Sequence, residues 1–408
     1  MRTHATLGPM LLLAVAGGCG QGGFVPPEPA FLPADTTFHV GPYLGHATQT
    51  RAAIGWETLI AGDTRVEWGP DADHGRVAVG AEGSLHQVVL EGLSPGRRYH
   101  YRACSAGVCS GDLTLDAAPP PGTDFRFGVY ADCQDNPDTH RQVVDQLVAE
   151  GVSLAVVAGD TVSDGSIRAQ YKERFFDPAR RFAQVRPRYA AVGNHDRKDF
   201  EVAAFRDYNI FPEDPGVPQA ETSYSFTYGD AFFLVFDDTL DHFDFFFPLA
   251  EGSAPPLWVW LQEQAASEAA RRARWRFAFA HYPPASNCYE DGHEYGMPES
   301  AVKEYVLPLL RANGFQAYFA GHIHCYERFD FEGLLAITTG GGGGGLDDQA
   351  RCDDDLPEAR VQRCVHHATI VELGQDEARV RARAIDGQLL EELVLRPDGS
   401  HEPAAPGR

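Results

Sequence analysis

Residues of the types that bind metal ions recur along this 408-residue chain, each directly after a short apolar run. They are, in order, Asp132, Asp160, Asn194, His281 and the pair His322 and His324. Carboxylate, amide and imidazole groups together suit hard-to-borderline divalent or trivalent metals. One strand-end aspartate or one His-x-His pair would be a weak signal. Five such elements in a single order, each after an apolar run, indicate a metal site.

The elements that must position these side chains follow an alternating pattern. Apolar runs at 125–130, 154–158, 189–192, 231–236, 277–280 and 317–320 read as buried strands, with helical periodicity at 139–150, 257–273 and 300–312. This alternation predicts an α/β layered fold. In such folds ligands bind beyond the carboxyl ends of the strands. The candidate metal ligands fall at those ends, so we expect them to converge.

The chain before residue 117 has a different rhythm. Short β-rich runs at 50–56, 64–68, 87–90 and 99–103 alternate with turn signals, including one at 61–63. Strands at this spacing predict a small β-sandwich. The AAPPPG run at 117–122 marks a linker.

We also predict closing strands at 368–373, 379–385 and 389–395, and a frayed tail at 396–408.

Five segments contain these ligand-type residues together with their flanks: ADCQ (131–134), GDTVSD (159–164), GNHD (193–196), FAHYP (279–283) and FAGHIHCYER (319–328). They resemble the motifs of the calcineurin-like metallophosphoesterase superfamily, and within it those of the purple acid phosphatases. Segments at 41–44, 54–57 and 93–101 resemble the fibronectin type III-like domain that precedes the catalytic domain in those enzymes. The resemblance implies a four-layer α/β/β/α fold at 124–395, after an all-β sandwich at 38–118.

The resemblance also implies a dinuclear metal centre. Asp132, Asp160 and His324 would hold the first ion, and Asp160 would bridge to a second ion held by Asn194, His281 and His322. A hydroxide bridging the two ions would attack phosphorus in line. The expected function is therefore phosphoester hydrolysis, with an acid phosphatase-like phosphomonoesterase as the main hypothesis. The alternatives are a phosphodiesterase or nucleotidase of the same superfamily, or a surface-tethered binding protein with a degenerate metal site.

Two histidines are expected to act on the substrate. The resemblance makes His195 the group that contacts the phosphoryl oxygens or protonates the leaving oxygen, and a protonated imidazole suits both tasks. Asp164 or Asp196 would orient it, although a structural hydrogen bond is an alternative role for His195. His293 lies in a loop where related enzymes carry a substrate-facing histidine. The alternative for His293 is a solvated loop residue.

Two positions depart from the family pattern. Ser163 stands where purple enzymes carry the tyrosine that colours their ferric site, so the colour is not expected and Fe(III) is less certain. Gln134 stands where many members have a histidine ligand, and it would ligate weakly or orient a metal-bound water. Fe, Mn and Zn all suit the remaining donors. Six glycines at 340–345 are expected to form a tight turn near the metals rather than a flexible linker.

Eight cysteines and the N-terminus indicate export. Residues 1–19 read as a signal peptide whose end resembles a bacterial lipobox, with Cys19 as the lipidated residue, followed by a Gly/Pro-rich spacer at 20–37. We expect a lipid-anchored protein of the periplasm or cell surface. Cys104 with Cys109 and Cys352 with Cys364 are candidate disulfides, and two of Cys133, Cys288 and Cys325 would pair to leave one free thiol. A structural zinc site is the alternative for these cysteines.

Composition limits the partners. The 58 acidic and 34 basic side chains give a net charge of −24. Such acidity argues against nucleic-acid binding, where Lys and Arg must neutralise phosphates. It also argues against a polybasic membrane surface, which leaves the possible anchor at Cys19 as the expected membrane contact. A small phosphoester remains the expected substrate, because bound metal ions reverse the local field.

Overall fold

The computed structural model describes residues 38–212, 222–240, 255–288, 301–352, 356 and 358–404. The predicted signal peptide with Cys19, the spacer and His293 lie outside these residues. Within these ranges no helix has the length and apolar character needed to cross a membrane.

The N-terminal region is one antiparallel sheet. Its strands are β1 (Phe38–Ala47), β2 (Arg51–Gly69), β3 (Arg76–Glu91), β4 (Arg98–Ser105), β5 (Val108–Cys109) and β6 (Leu113–Asp116). β2 pairs β1, β3 and β4, and β6 pairs β4. The turn predicted at 61–63 is wrong, because β2 continues through it with register shifts between Glu57 and Thr64. Trp56 and Trp68, on the two halves of β2, pack into one apolar cluster, so the sheet curls around a single core.

The remaining strands form two further sheets. They are β7 (Phe125–Tyr130), β8 (Leu154–Val157), β9 (Arg188–Ala190), β10 (Tyr224–Tyr228), β11 (Ala231–Val235), β12 (Trp275–Phe279), β13 (Ala317–Ala320), β14 (Tyr326–Phe331), β15 (Leu334–Thr339), β16 (Ala359–Arg363), β17 (His367–Leu373), β18 (Ala378–Ala384), β19 (Leu389–Leu395) and β20 (His401–Pro403). The first sheet has the order β20-β19-β18-β17-β7-β8-β9, and the second has β10-β11-β12-β13-β15-β14-β16. The predicted frayed tail is corrected at 401–403, since β20 pairs with β19.

Helices cover the outer faces of the two sheets. The helical segments are α1 (Pro137–Ala149), α2 (Arg168–Gln170), α3 (Asp177–Ala183), α4 (Ala203–Tyr208), α5 (Pro256–Ala265), α6 (Glu268–Arg272) and α7 (Leu307–Ala312), with π-helical turns at Tyr171–Phe176 and Val302–Val306 and 3₁₀ turns at Asp196–Lys198 and Gln349–Arg351. The predicted helix at 257–273 is divided into α5 and α6. Asn136 caps α1 by accepting from the backbone N–H groups of Asp138 and Thr139.

The two sheets face each other across an apolar core. Phe127 on β7 meets Phe233, Phe277 and Phe319 of the second sheet, with ring centroids 5.2, 5.1 and 6.3 Å apart. On β11 successive residues alternate between this core and a second cluster under α5 and α7. A strand buried on both faces is apolar along its whole length, as its sequence shows. The layers are therefore α/β/β/α, which confirms the predicted fold.

Three disulfides are formed among the described residues, and two predicted pairings are wrong. Cys104 bonds to Cys109 as predicted. The other bridges are Cys288–Cys352 and Cys325–Cys364. They replace the bridge predicted between Cys352 and Cys364 and the one predicted within Cys133, Cys288 and Cys325. Cys133 is the buried free thiol. The four cysteines of the last two bridges lie in one cluster, and spacing along the chain does not determine their disulfide connectivity.

Candidate metal centre

The predicted ligands converge at one edge of the paired sheets. Parallel strands β7, β8 and β9 end just before Asp132, Asp160 and Asn194, and parallel β12 and β13 end before His281 and the His322–His324 pair. Because the two sheets stack face to face, their carboxyl ends bring the six side chains to the same place. This edge is called the metal edge below.

One group of side chains centres on the two aspartates. A carboxylate oxygen of Asp132, one of Asp160 and a ring nitrogen of His281 lie within 4.8 Å of one another. His324 Nε2 lies 3.6 Å from Asp132 Oδ1. All of these side chains are buried or partly buried, and the two aspartates are at most 1% exposed. These separations suit side chains arranged around a shared cation.

A second group centres on Asn194. Its Oδ1 lies 2.8 Å from His281 Nε2 and 3.1 Å from His322 Nδ1. His281 Nε2 is also 3.5 Å from Asp160 Oδ1. Asp160 therefore lies beside both groups, in the position expected of a bridging carboxylate.

Backbone carbonyls select the nitrogen that each imidazole presents. His281 Nδ1 lies 3.0 Å from the carbonyl of Ala158, and His324 Nδ1 contacts the carbonyl of Gly345. A carbonyl accepts only from a protonated nitrogen, so these contacts place a proton on Nδ1 of both rings and make Nε2 the nitrogen that a metal ion would bind. Such hydrogen bonds orient histidine ligands in metal sites.

The backbone at the metal edge adopts conformations that side chains rarely allow. Asp132, Asp160 and His322 have φ values of 57°, 53° and 72°, in the left-handed region. A Cβ on Gly193 would lie 2.1 Å from Asp160 Oδ1, so this glycine lets two strand ends approach closely. Such conformations persist where the surrounding structure enforces them, which is typical of functional sites.

Burial shapes the charge of the site. Desolvation lowers the pKa of both His281 and His322 to about 3, so both rings are neutral at pH 7. Desolvation, followed by the charges of Asp132 and Asp196, raises the pKa of Asp160 well above its usual range. Buried like charges of this kind are stabilised by bound cations, so the donor set fits metal ions.

His324 behaves differently from the other two imidazoles. Burial alone would lower its pKa, but the hydrogen bond and charge of Asp132 raise it to about 10. The ring is therefore protonated at pH 7 when no metal is bound. A metal ion would displace that proton.

The glycine run wraps the metal edge, as predicted. The backbone N–H groups of Gly342 and Gly344 donate to the carbonyls of Ala131 and Asp132, at 2.8 and 2.6 Å. A Cβ on Gly344 would lie 2.8 Å from the His324 ring. The run is therefore a close-packed turn against the ligands.

His195 faces the centre, but its expected carboxylate partners do not reach it. His195 Nε2 lies 3.9 Å from Asp160 Oδ2, and Nδ1 lies 2.8 Å from the carbonyl of Ser163. The Asp164 carboxylate accepts from Ser166, and buried Asp196 accepts from Thr161 and Gly193. The expectation that either aspartate orients His195 is therefore corrected, because local hydrogen bonds occupy both.

Gln134 keeps an unused acceptor inside the protein. Its side chain is 2% exposed and Oε1 has no hydrogen-bond partner. An orphaned buried oxygen is consistent with the predicted role near a metal or its water. The Ser163 hydroxyl, by contrast, has partners, since it lies 2.9 Å from the carbonyl oxygen of Gln134 and 2.7 Å from Asp135 Oδ1, either of which can accept its proton.

Several supporting residues were missed by sequence reasoning. Lys198 Nζ lies 2.9 Å from His195 Nδ1, and Asp347 accepts from the backbone of His324 at 2.7 Å. Asp238 accepts from the backbone N–H groups of His281 and Tyr282 at 3.1 and 2.8 Å. Of these three residues, only Asp238 had a signal in the sequence, because its carboxylate follows an apolar strand.

Comparisons with known proteins agree with this geometry. Residues 125–326 match the family model described as calcineurin-like phosphoesterase. Two Arabidopsis thaliana relatives, purple acid phosphatases 23 and 21, are each 25% identical, over 283 and 253 residues. Those alignments cover 61% and 60% of this chain but 58% and 54% of the relatives, so the chain spans little more than half of their length.

Solved structures show the same fold. The purple acid phosphatase PPD1 from yellow lupin (Lupinus luteus) superposes with a TM-score of 0.72 at 17% identity, covering 87% of this chain and 74% of that one. PhoD superposes with a TM-score of 0.68 at 13% identity, covering 90% and 92%. Residues 125–326 thus form a calcineurin-like phosphoesterase domain, and the chain is similar to purple acid phosphatases.

Proposed function

We propose that this chain is an exported phosphoester hydrolase that works with two metal ions and acts on small phosphomonoesters. The observation that carries the proposal is the metal edge, where buried Asp132 and Asp160 meet Asn194 and neutral imidazoles. Burying two carboxylates in an apolar core costs desolvation free energy, and two bound cations would offset that cost. The relatives named as acid phosphatases support a monoester as the substrate.

The residues divide between two ions. Asp132, Asp160 and His324 would hold one, and Asp160, Asn194, His281 and His322 the other, with Gln134 beside the first. When bound, such a pair supplies a nucleophile at neutral pH and stabilises charge on phosphoryl oxygens. Fe, Mn and Zn each suit this donor set.

His195 would act on the leaving group. Its Nε2 faces Asp160, and its Nδ1 contacts the Ser163 carbonyl, to which Lys198 Nζ also donates. A proton on Nε2 would pass to the leaving oxygen as the ester bond breaks, while the ring stays oriented by its Nδ1 contacts. His293, predicted to face the substrate, remains a proposal and lies outside the described residues.

Hydrolysis of aryl phosphates tests the proposal. Protein reconstituted with Mn, Zn or Fe should hydrolyse an aryl monoester faster than the matching diester, and a chelator should abolish both rates. Asn194→Ala should lose the activity, whereas Asp164→Asn, an exposed carboxylate on the same rim, should keep it. Full metal occupancy without turnover of either ester would contradict the hydrolase. A higher diester rate would favour the phosphodiesterase alternative.

A binding protein is the alternative from another class. Ser163 and Gln134 are the departures that favour it, since a degenerate site needs no catalytic geometry. Elemental analysis separates the two functions. Two ions per chain with turnover supports the enzyme, and no bound metal after reconstitution supports the binding protein.

Export and tethering form a separate part of the proposal. Three disulfides within the described residues are typical of proteins that fold in oxidising compartments. We propose that Cys19 carries a lipid anchor. Replacing Cys19 with Ala in the full chain should move the protein from the membrane fraction to the soluble exported fraction, and an unchanged distribution would contradict the anchor.

A further inference from the structure

A cluster of unpaired oxygen atoms lies beneath the loop that follows His281. Three buried side chains each keep an acceptor with no hydrogen-bond partner: Glu327 Oε2, Asn287 Oδ1 and Gln362 Oε1. Their side chains are 0%, 8% and 8% exposed. Buried polar atoms are almost always paired, so three orphans of the same type require a partner that donates or carries positive charge.

The three side chains belong to one place in the fold. Glu327 on β14 lies directly opposite Gln362 on β16, so both side chains point to the same face of the second sheet. The loop covers that face, because Asn287 N–H donates to Glu327 Oε1 at 2.9 Å and Gln362 Nε2 lies 3.0 Å from Cys288 Sγ. The three side chains therefore lie beside one another under residues 287 and 288.

Two disulfides hold the cover in position. Cys325 lies two residues before Glu327, and Cys364 two residues after Gln362, each just beyond the end of its strand. Cys325–Cys364 joins the ends of these two strands, and Cys288–Cys352 ties the loop beside them. The oxygen cluster therefore lies under a loop segment, residues 282–288, that a disulfide holds at Cys288.

A proton does not satisfy the cluster. Burial raises the pKa of Glu327 to about 7, against the lowering effect of hydrogen bonds from Ser286 and Asn287. A protonated Oε2 would donate to one amide oxygen and leave the other unpaired. A single cation would satisfy all three oxygens at once.

We propose that Glu327, Asn287 and Gln362 form a binding site for a hard cation, with Ca²⁺ as the best fit. One carboxylate and two amide carbonyls make an all-oxygen donor set, which calcium prefers and zinc does not. Calcium also accepts irregular geometry, whereas magnesium demands a near-octahedral shell that keeps several waters. The ion joins β14 and β16 to the loop that begins at His281, so its role is structural.

Calcium alone is the probe in the first experiment. Full-chain protein with a zinc-filled metal edge is dialysed to equilibrium against ⁴⁵Ca²⁺. We expect one calcium ion per chain with a midpoint of about 10⁻⁴–10⁻³ M, the range of extracellular sites with few charged ligands. Absence of bound calcium at about 10⁻² M would overturn the proposal.

Variants locate the ion. Glu327→Gln should weaken calcium binding at least about tenfold, and Gln362→Glu should tighten it about tenfold, because affinity follows the number of charged ligands. Glu372→Gln is the matched control, since that carboxylate pairs with Arg126 and Arg381 on the first sheet. If Glu327→Gln fails to fold, unchanged affinity in Gln362→Glu still contradicts the site.

Calcium binding in a second variant distinguishes the proposed calcium site from the metal edge. Asp160→Asn removes the carboxylate shared by the two proposed catalytic ions, and calcium binding should survive it. Loss of calcium binding in Asp160→Asn would place the ion at the metal edge and overturn the proposal. Because no turnover is measured, the outcome is independent of the proposed hydrolase activity.

Discussion

The two sheets contribute different chemistry to the same edge. The first sheet supplies the oxygen donors Asp132, Asp160 and Asn194, and the second supplies the imidazoles His281, His322 and His324. Burial affects the two sets in opposite ways. It lowers the pKa of His281 to about 3, which keeps the ring neutral, and it raises the pKa of Asp160, which opposes the charge that metal binding needs.

This difference shows which half depends on metal ions. His281 is neutral and held by the Ala158 carbonyl, so it is ready to bind before any metal arrives, whereas His324 must first lose a proton. The carboxylate of Asp160 carries a desolvation cost that only cations or protons relieve. We therefore expect removal of Asp160, the shared carboxylate of the first sheet, to affect both ions, and removal of one histidine of the second sheet to affect one.

The largest effect is expected at Asp160. Asp160→Asn removes the carboxylate beside both groups, so both ions should be lost and the rate of aryl phosphate hydrolysis should fall about 10³-fold or more. Metal content by elemental analysis and kcat/KM are the measurements. Asp164→Asn is the control, and two ions retained in Asp160→Asn would contradict the bridging role.

A smaller effect is expected at His281 in the second sheet. His281→Ala should lose one ion and keep the other, with a rate reduced about 10²–10³-fold. His401→Ala on β20, which pairs with Asp330, is the control and should keep both ions. Loss of both ions from His281→Ala would remove the difference between the sheets.

Asp238 tests how the second sheet positions its ligands. Asp238→Asn weakens the contacts to the backbone of His281 and Tyr282, and we expect the affinity for one ion to fall about 10–100-fold. Titration with zinc measures it. Asp230→Asn, whose carboxylate binds Gly122 and Gln375 far from the centre, should change nothing. Equal affinities in the two variants would show that Asp238 does not position a ligand.

The smallest expected effect is a difference between the two ions in how their binding depends on pH. The pKa of His324 is raised to about 10, so binding to Asp132 and His324 at pH 7 must release a proton, and affinity should rise at least about tenfold per pH unit towards pH 10. Binding to neutral His281 and His322 should release none from these rings. Calorimetry in two buffers of different ionisation enthalpy counts the protons. Equal release for both ions would contradict the assignment.

Much of the fold was readable from local patterns. The predicted strands at 125–130 and 317–320 match β7 and β13, because strands buried on both faces are apolar throughout. The sequence-based prediction failed for a long strand that pairs with more than one neighbouring strand. The turn predicted around Gly62 lies within β2. The first half of β2 pairs with β1 and the second half with β4, while β3 pairs with both halves, and no local signal in the sequence indicates this.

The site shows the same division. The types and order of the ligands predicted a metal centre, since few residue types bind metals and strand ends are where they bind. The carboxylate partner expected for His195 was wrong because Asp164 and Asp196 are satisfied by nearby groups. Which group completes a hydrogen bond depends on three-dimensional neighbours, such as Lys198 and the Ser163 carbonyl.

The sequence by itself determined the layered fold, the ligand set and the family resemblance, because apolar periodicity and ligand chemistry are local properties. Only the tertiary structure decided the pairing of Cys288 with Cys352, the left-handed backbone at Asp132 and Asp160, and the oxygen cluster around Glu327. These features join residues far apart in the chain. Their energies depend on burial and on neighbours that exist only after the two sheets have packed.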